Sequence, residues 1–218
     1  MTTKSRSSAT VRALQWERDM ITHPTQLQIE TPERMQRIHV LIRLVLLAAL
    51  GTLGWSSLYW LAYLALPGIA ALLLATEGSE RYLAEDAPRI VRPLRWLASA
   101  YAYLWLLTDA YPDAEGGAVK LEIDVGGTPT AASALLRLLT SIPALLLLAL
   151  MSFAAGVLWI IEAIVILVRA RPSAPISDFL ALTLRYQFRF IAYHLSLVER
   201  YPSLESAPTE HQPAQLGA

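Results

Sequence analysis

Two long apolar windows, Leu41 to Ala75 and Ala134 to Val168, constrain this chain more than any other feature. Arg43 is the only charged residue in the first, and Arg137 and Glu162 are the only ones in the second. Uncharged stretches of about 18 residues or more read as membrane spans. Each window is roughly 35 residues long and would measure about 52 Å as one straight helix, against about 30 Å of hydrocarbon. Tilting does not absorb that excess. Each window is therefore expected to fold as a hairpin of two spans, at about 38–53 and 57–76 and at about 132–150 and 154–169. The first bend is placed at Gly51 to Ser57, where glycine and serine tolerate turns and Trp55 suits an interface. The second is placed near Met151 to Gly156.

Composition supports a membrane setting. Hydrophobic residues make up 55% and charged residues 17%, against about 25% charged in soluble domains. Neither window resembles a secretory signal, because the first forty residues are polar and hold Lys4, Arg6, Arg12, Arg18, Arg34 and Arg37. Both bends lack charge, so the positive-inside rule predicts cytoplasmic termini and a cytoplasmic middle segment. The expected location is a cytoplasmic (inner) membrane, crossed four times. There is no cysteine, which excludes disulfides, thiolate catalysis and cysteine-held metal centres. A formal net charge of zero argues against a nucleic-acid partner.

The chain also echoes itself. Leu121-Glu122-Ile123-Asp124 parallels Leu27-Gln28-Ile29-Glu30, and Leu136-Arg137-Leu138 parallels Ile42-Arg43-Leu44 at the same spacing. At a slightly shorter spacing, Leu184-Arg185-Tyr186 parallels Leu94-Arg95-Trp96, Ala192-Tyr193 parallels Ala102-Tyr103, and Glu199-Arg200-Tyr201-Pro202 parallels Asp109-Ala110-Tyr111-Pro112. The fold predicted is an all-α integral membrane protein with a tandem parallel repeat. Each copy has a short β segment, a transmembrane hairpin and an amphipathic, aromatic-rich interfacial helix. A polar segment 1–25 precedes repeat 1 at 26–112, with its interfacial helix about 89–108. Repeat 2 spans 113–202, with its helix about 178–198, and a flexible tail covers 203–218. The alternating segments Gln26 to Thr31 and Val119 to Val125 are expected to pair with each other, since a lone strand is unstable.

These residues resemble a bacterial membrane family, domain of unknown function 4389. Its pattern is an acidic strand, an Arg-Leu entering an apolar hairpin, and a helix with Arg-Tyr and Ala-Tyr ending in Leu-Leu-Thr-Asp-x-Tyr-Pro. Leu106-Leu107-Thr108-Asp109-Ala110-Tyr111-Pro112 matches that ending, and Leu197-Val198-Glu199-Arg200-Tyr201-Pro202 matches it more loosely. The resemblance spans roughly residues 26 to 203 and implies two tandem copies and a bacterial inner membrane. It departs after each hairpin, at Leu74 to Ser79 and Val168 to Pro172, where the family tends to have Phe-Thr-Gly-Arg. It implies a fold and no reaction.

No catalytic constellation emerges. His23, His39, His194 and His211 lack metal-ligand spacing, and there is no nucleophile elbow or phosphate-binding glycine loop. No enzyme activity, metal or cofactor is expected. Glu162 is the one acid inside a predicted span, and intramembrane carboxylates are functional candidates by default. Its plainer reading is a carboxylate that snorkels, is protonated or pairs with an arginine. Arg43, Arg137, Arg95, Arg185, Trp96, Tyr186, Tyr103 and Tyr193 are candidate lipid or partner contacts, with structural anchoring the plainer and favoured reading of Arg43 and Arg137. The expected function is a non-catalytic accessory or scaffold subunit of a larger membrane assembly, partnered by membrane lipids and protein subunits. The alternative is a protein that binds a lipid or small amphiphile, or assists its transport.

Overall fold

The computed structural model describes residues 23–52, 55–113 and 117–204, with residues 51–52 and 55–60 described by backbone alone. Most of the polar N-terminal segment and the C-terminal tail, and Leu53 and Gly54 of the expected first bend, lie outside the described residues. Strand β1 (Thr25–Ile29) leads into helix α1 (Arg37–Thr52) and helix α2 (Trp55–Arg81). A π-helical turn, Tyr82–Asp86, joins α2 to α3 (Ala87–Leu104). Strand β2 (Val119–Ile123) follows, then α4 (Ala131–Thr140), α5 (Ile142–Arg169) and α6 (Ala174–His194).

The expectation of four membrane-crossing helices is overturned. Among the described residues one helix, α5, is long and apolar enough to cross a membrane. In the first window α1 has 16 residues, about 24 Å of helix against about 30 Å of hydrocarbon. In α2 the apolar part, Leu61–Glu77, is also short, and Gly78 at φ 81° breaks the helix after it. The second window does not bend at Met151 to Gly156, because α5 runs through that segment. Ala154 and Ala155 favour helix, and one glycine in a long helix costs only about 1 kcal/mol. The break falls instead at Ser141, just before Pro143 at the start of α5, where a missing N–H costs nothing. The spans expected at about 132–150 and 154–169 are thus a ten-residue helix and a 28-residue one.

Strands β1 and β2 form a two-stranded antiparallel sheet in which Leu27 faces Leu121. Helix α3 packs against β2, α6 packs against β1, and α5 lies along α6. The principal core forms here, with Leu27, Leu121, Leu94, Ala98, Leu184 and Phe188 all buried. Helix α6 therefore differs from the interfacial helix expected over about 178–198. It starts earlier, ends at His194 and buries residues on most of its circumference, including Tyr186, Phe188, Arg189 and Phe190. Helix α3 keeps an exposed side that carries Trp96.

Candidate functional site: two arginine-centred turns

Helices α3 and α6 end in the same way. Leu106 and Ser196 take left-handed φ values of 61° and 58°. The N–H of Leu107 bonds Ala102 O and that of Leu106 bonds Tyr103 O; Leu197 and Ser196 bond Ala192 O and Tyr193 O likewise. This is the Schellman arrangement, usually built on glycine because a side chain in the left-handed region costs about 1–2 kcal/mol. Here a leucine and a serine occupy that position, so tertiary contacts must hold each turn closed.

Arginines from the neighbouring helices supply those contacts. Arg43, fully buried on α1, donates to Thr108 O at 2.6 Å and to Asp109 Oδ1 at 2.9 Å. Its guanidinium lies 4.2 Å from the Tyr103 ring centre. Arg137, buried on α4, donates to Tyr193 O and to Val198 O, the latter at 2.7 Å, and lies 4.4 Å from the Tyr193 ring centre. Burial lowers the pKa of both guanidinium groups, yet arginine keeps its charge in proteins. The acid after each turn is also engaged. Asp109 Oδ2 accepts the Gln36 N–H at 2.7 Å, and Glu199 Oε1 accepts the Thr128 N–H at 2.8 Å. Gly127, at φ 99°, lies against Glu199, and a Cβ added there would collide with that side chain.

The remaining sequence candidates divide between structure and surface. Arg95 donates to Leu121 O at 3.2 Å, and Arg185 donates to Leu27 O at 3.1 Å. Tyr186 is buried, with its hydroxyl directed at Ala144 O. Tyr193 also meets Thr140 through its hydroxyl at 3.1 Å. Trp96 is 51% exposed and joins neither turn. Glu162 is buried and accepts from Ser173 N–H at 2.7 Å and Ser177 Oγ at 3.2 Å. It therefore caps the start of α6 from a neighbouring helix, a role absent from the sequence expectation of a carboxylate that snorkels, is protonated or pairs with an arginine. A carboxylate there also suits the positive end of the helix dipole.

Several contributors lay outside the sequence-based set. Tyr82, on the π-helical turn, donates to Leu195 O inside the second turn. Burial is the main reason its hydroxyl pKa rises to about 12, so it stays a donor. Trp159 Nε1 donates to Leu104 O at 2.8 Å, tying α5 to the end of α3. Arg189, one helical turn after Arg185, reaches Thr25 O at 3.4 Å and Ser203 O at 2.7 Å. Spacing along α6 placed Arg189 beside Arg185, but nothing in the sequence pointed Tyr82 or Trp159 at distant carbonyls. Among the described residues no group of three His, Asp or Glu side chains is arranged to hold a metal ion.

Residues 131–204 match the model of a family described as Domain of unknown function (DUF4389). The match covers α4, α5, α6 and the Arg137-centred turn. It finds one copy where the resemblance implied two, and residues 26–112 lie outside it. No curated protein and no solved structure matches the chain.

Proposed function

We propose that this chain is a non-catalytic accessory or scaffold component of a membrane protein assembly in a bacterial cytoplasmic membrane, anchored through α5. The observation that carries the proposal is the division of labour between charge and apolar surface. The buried arginines Arg43 and Arg137 are engaged by backbone carbonyls of their own chain. What the chain presents instead is an apolar stripe on α5 formed by Leu146, Leu150, Phe153, Val157, Ile160 and Ile164, with Phe153 75% exposed. An apolar surface of that length is foreign to water-facing monomers and fits lipid or other membrane helices. The stripe's alternating spacing of three and four residues is that of a helix–helix seam.

We further infer that residues 26–112 are a diverged second copy of the matched unit. The paired turns, their arginines and aromatic rings, and the reciprocal bonds of Arg95 and Arg185 to the two strands support this reading. A shape built from two interlocked copies, with its polar groups used internally, suits a fixed scaffold better than a moving carrier.

The test is a photoreactive phenylalanine analogue placed at Phe153 and activated in native membranes. The proposal expects discrete adducts with a membrane protein that also co-purifies after mild detergent extraction. Adducts with lipid alone, together with a purified chain free of any companion protein, would overturn it.

A further inference from the structure

Helix α3 sorts its residues by charge as well as by hydrophobicity. Val91, Leu94, Ala98 and Ala102 are buried along one side, whereas Arg89, Arg92, Arg95 and Trp96 are exposed. Spacings of three and four residues put these four on one face. From Ala87 to Leu104 the helix contains no acidic residue. The acids nearby belong to the segment before it, and most are already engaged. Arg81 Nε lies 3.4 Å from both Glu77 and Glu85, and Asp86 is buried with Arg89 Nη1 at 3.5 Å. Of the acids in that segment, Glu80 alone stands outside these pairs.

The three arginines keep most of their donors for an outside partner. Each guanidinium carries five N–H groups. Arg89, its side chain 74% exposed, makes one long contact, and Arg95 is engaged through Nε by Leu121 O. Arg92 makes no hydrogen bond or ion pair among the described residues. Three fixed positive charges within about 9 Å of helix repel one another, and an anionic surface relieves that repulsion. The planar fork of arginine matches phosphate oxygens. Trp96, 51% exposed, adds a ring of the kind that settles at headgroup level. The chain reaches this face from exposed apolar residues on α2, Leu61, Leu64, Ile69 and Leu72, across the break at Gly78. Apolar surface followed by arginine and tryptophan is the order of environments met at the edge of hydrocarbon. An acidic protein surface would account for the arginines but not for that apolar approach.

We propose that the exposed face of α3 formed by Arg89, Arg92, Arg95 and Trp96 binds the phosphate headgroups of anionic phospholipids. The arginines take the phosphates, and Trp96 lies at the boundary with the hydrocarbon. The proposal rests on the membrane location proposed above, and the experiment reads the two separately.

The chain has no cysteine, so one nitroxide label can be attached at a chosen place. The full chain is labelled through Phe153→Cys on α5, or through Pro93→Cys, an exposed position beside the arginines. Each is placed in nanodiscs of mixed phosphatidylglycerol and phosphatidylcholine, and accessibility to oxygen and to a nickel chelate gives the depth of the label. A Phe153→Cys label in water defeats the membrane location and this proposal with it. With that label in hydrocarbon, the Pro93→Cys label is expected at headgroup depth. The preference for phosphatidylglycerol over phosphatidylcholine, measured with spin-labelled lipids, should fall about fivefold for each of Arg89→Gln and Arg92→Gln. Arg92 has no partner within the described chain, so its replacement leaves the fold intact. Salt at about 1 M, where the screening length shrinks to about 3 Å, should remove the preference in the same way. A Pro93→Cys label in water while the Phe153→Cys label is in hydrocarbon overturns the proposal. So does an unchanged lipid preference in the double variant Arg89→Gln/Arg92→Gln. A Pro93→Cys label that is aqueous in nanodiscs but immobilised in native membranes assigns the face to a protein, and overturns it too.

Discussion

Leu27 and Leu121 face each other at the centre of the two-stranded sheet, and each offers its carbonyl to an arginine on a different helix. Glu30 N–H bonds Ala118 O and Asp124 N–H bonds Pro24 O. Cross-strand bonding in an antiparallel ladder falls on alternate pairs, so Leu27 and Leu121 form a pair whose carbonyls point away from the partner strand. A two-stranded ribbon has nothing of its own to satisfy such groups. Arg185 and Arg95 close both edges from outside, which prevents further strand addition. The contacts of Leu27 and Leu121 therefore clamp the sheet between α6 and α3.

The two clamps should differ in weight. Arg185 is partly buried whereas Arg95 is exposed. Arg185→Gln is expected to destabilise the chain by about 1 kcal/mol and Arg95→Gln by roughly half that. Denaturant-titrated unfolding in mixed micelles measures both, and equal effects would show that exposure does not set the strength of the clamp.

Arg137→Met should be far more costly. It leaves the Val198 carbonyl without its donor and removes the cation from the Tyr193 ring. A loss of roughly 2–3 kcal/mol is expected. Arg137→Lys should recover less than half, because a point-like ammonium does not reproduce the planar fork. The same titration decides, and full recovery by lysine would mean that charge alone holds the turn.

Glu162→Ala should lower stability by about 1–2 kcal/mol through loss of the α6 cap. Glu162→Gln retains an acceptor oxygen for Ser173 N–H and Ser177 Oγ, so most of the loss should be restored. Hydrogen exchange at the first turn of α6 reports the cap directly. Exchange as fast in the glutamine variant as in the alanine variant would point to a need for the negative charge itself.

His194 should make stability depend on pH. Burial places its folded pKa below the unfolded value of 6.5, so the neutral form is the one the fold favours. That contribution is fully present above about pH 6.5 and is lost as pH falls through the lower folded value. Unfolding transitions recorded between pH 8 and pH 5 should shift downward below about pH 6.5. In His194→Gln that acid-side loss should be reduced.

Gly127→Ala should destabilise the second turn. The residue needs a left-handed φ of 99°, and an added methyl group would press on Glu199. A loss of at least 1 kcal/mol is expected, reflecting both backbone strain and displacement of the Thr128 contact. Thermal unfolding measures it, and a neutral effect would mean that Glu199 relaxes freely.

Much of this architecture was legible because it rests on residue type and order. The alternation in Thr25–Ile29 and Val119–Ile123 marks strands, and the Asp109 and Glu199 segments with their prolines mark where α3 and α6 have ended. The similar placement of Arg43 and Arg137 was visible as a shared Arg-Leu. The first helix boundary, between Thr52 and Trp55, falls within the expected Gly51 to Ser57, but the break in the second window was not legible, because an apolar stretch of uniform composition holds no local signal strong enough to choose a bend. Ser141 with Pro143 and Gly78 were weak cues beside the glycine-rich and serine-rich stretches that drew attention.

The sequence by itself determined which residues are apolar, which arginines recur, and that two strand-like segments each need a partner. The tertiary structure decided what those arginines and Glu162 do. Each meets a backbone group distant in the chain, and a carbonyl or N–H looks the same in every residue until the fold leaves it without a partner. Satisfying those groups in a low-dielectric interior is a requirement of the whole packed arrangement. It therefore appears only once Leu27, Leu121, Thr108, Val198 and Ser173 have been brought to their places.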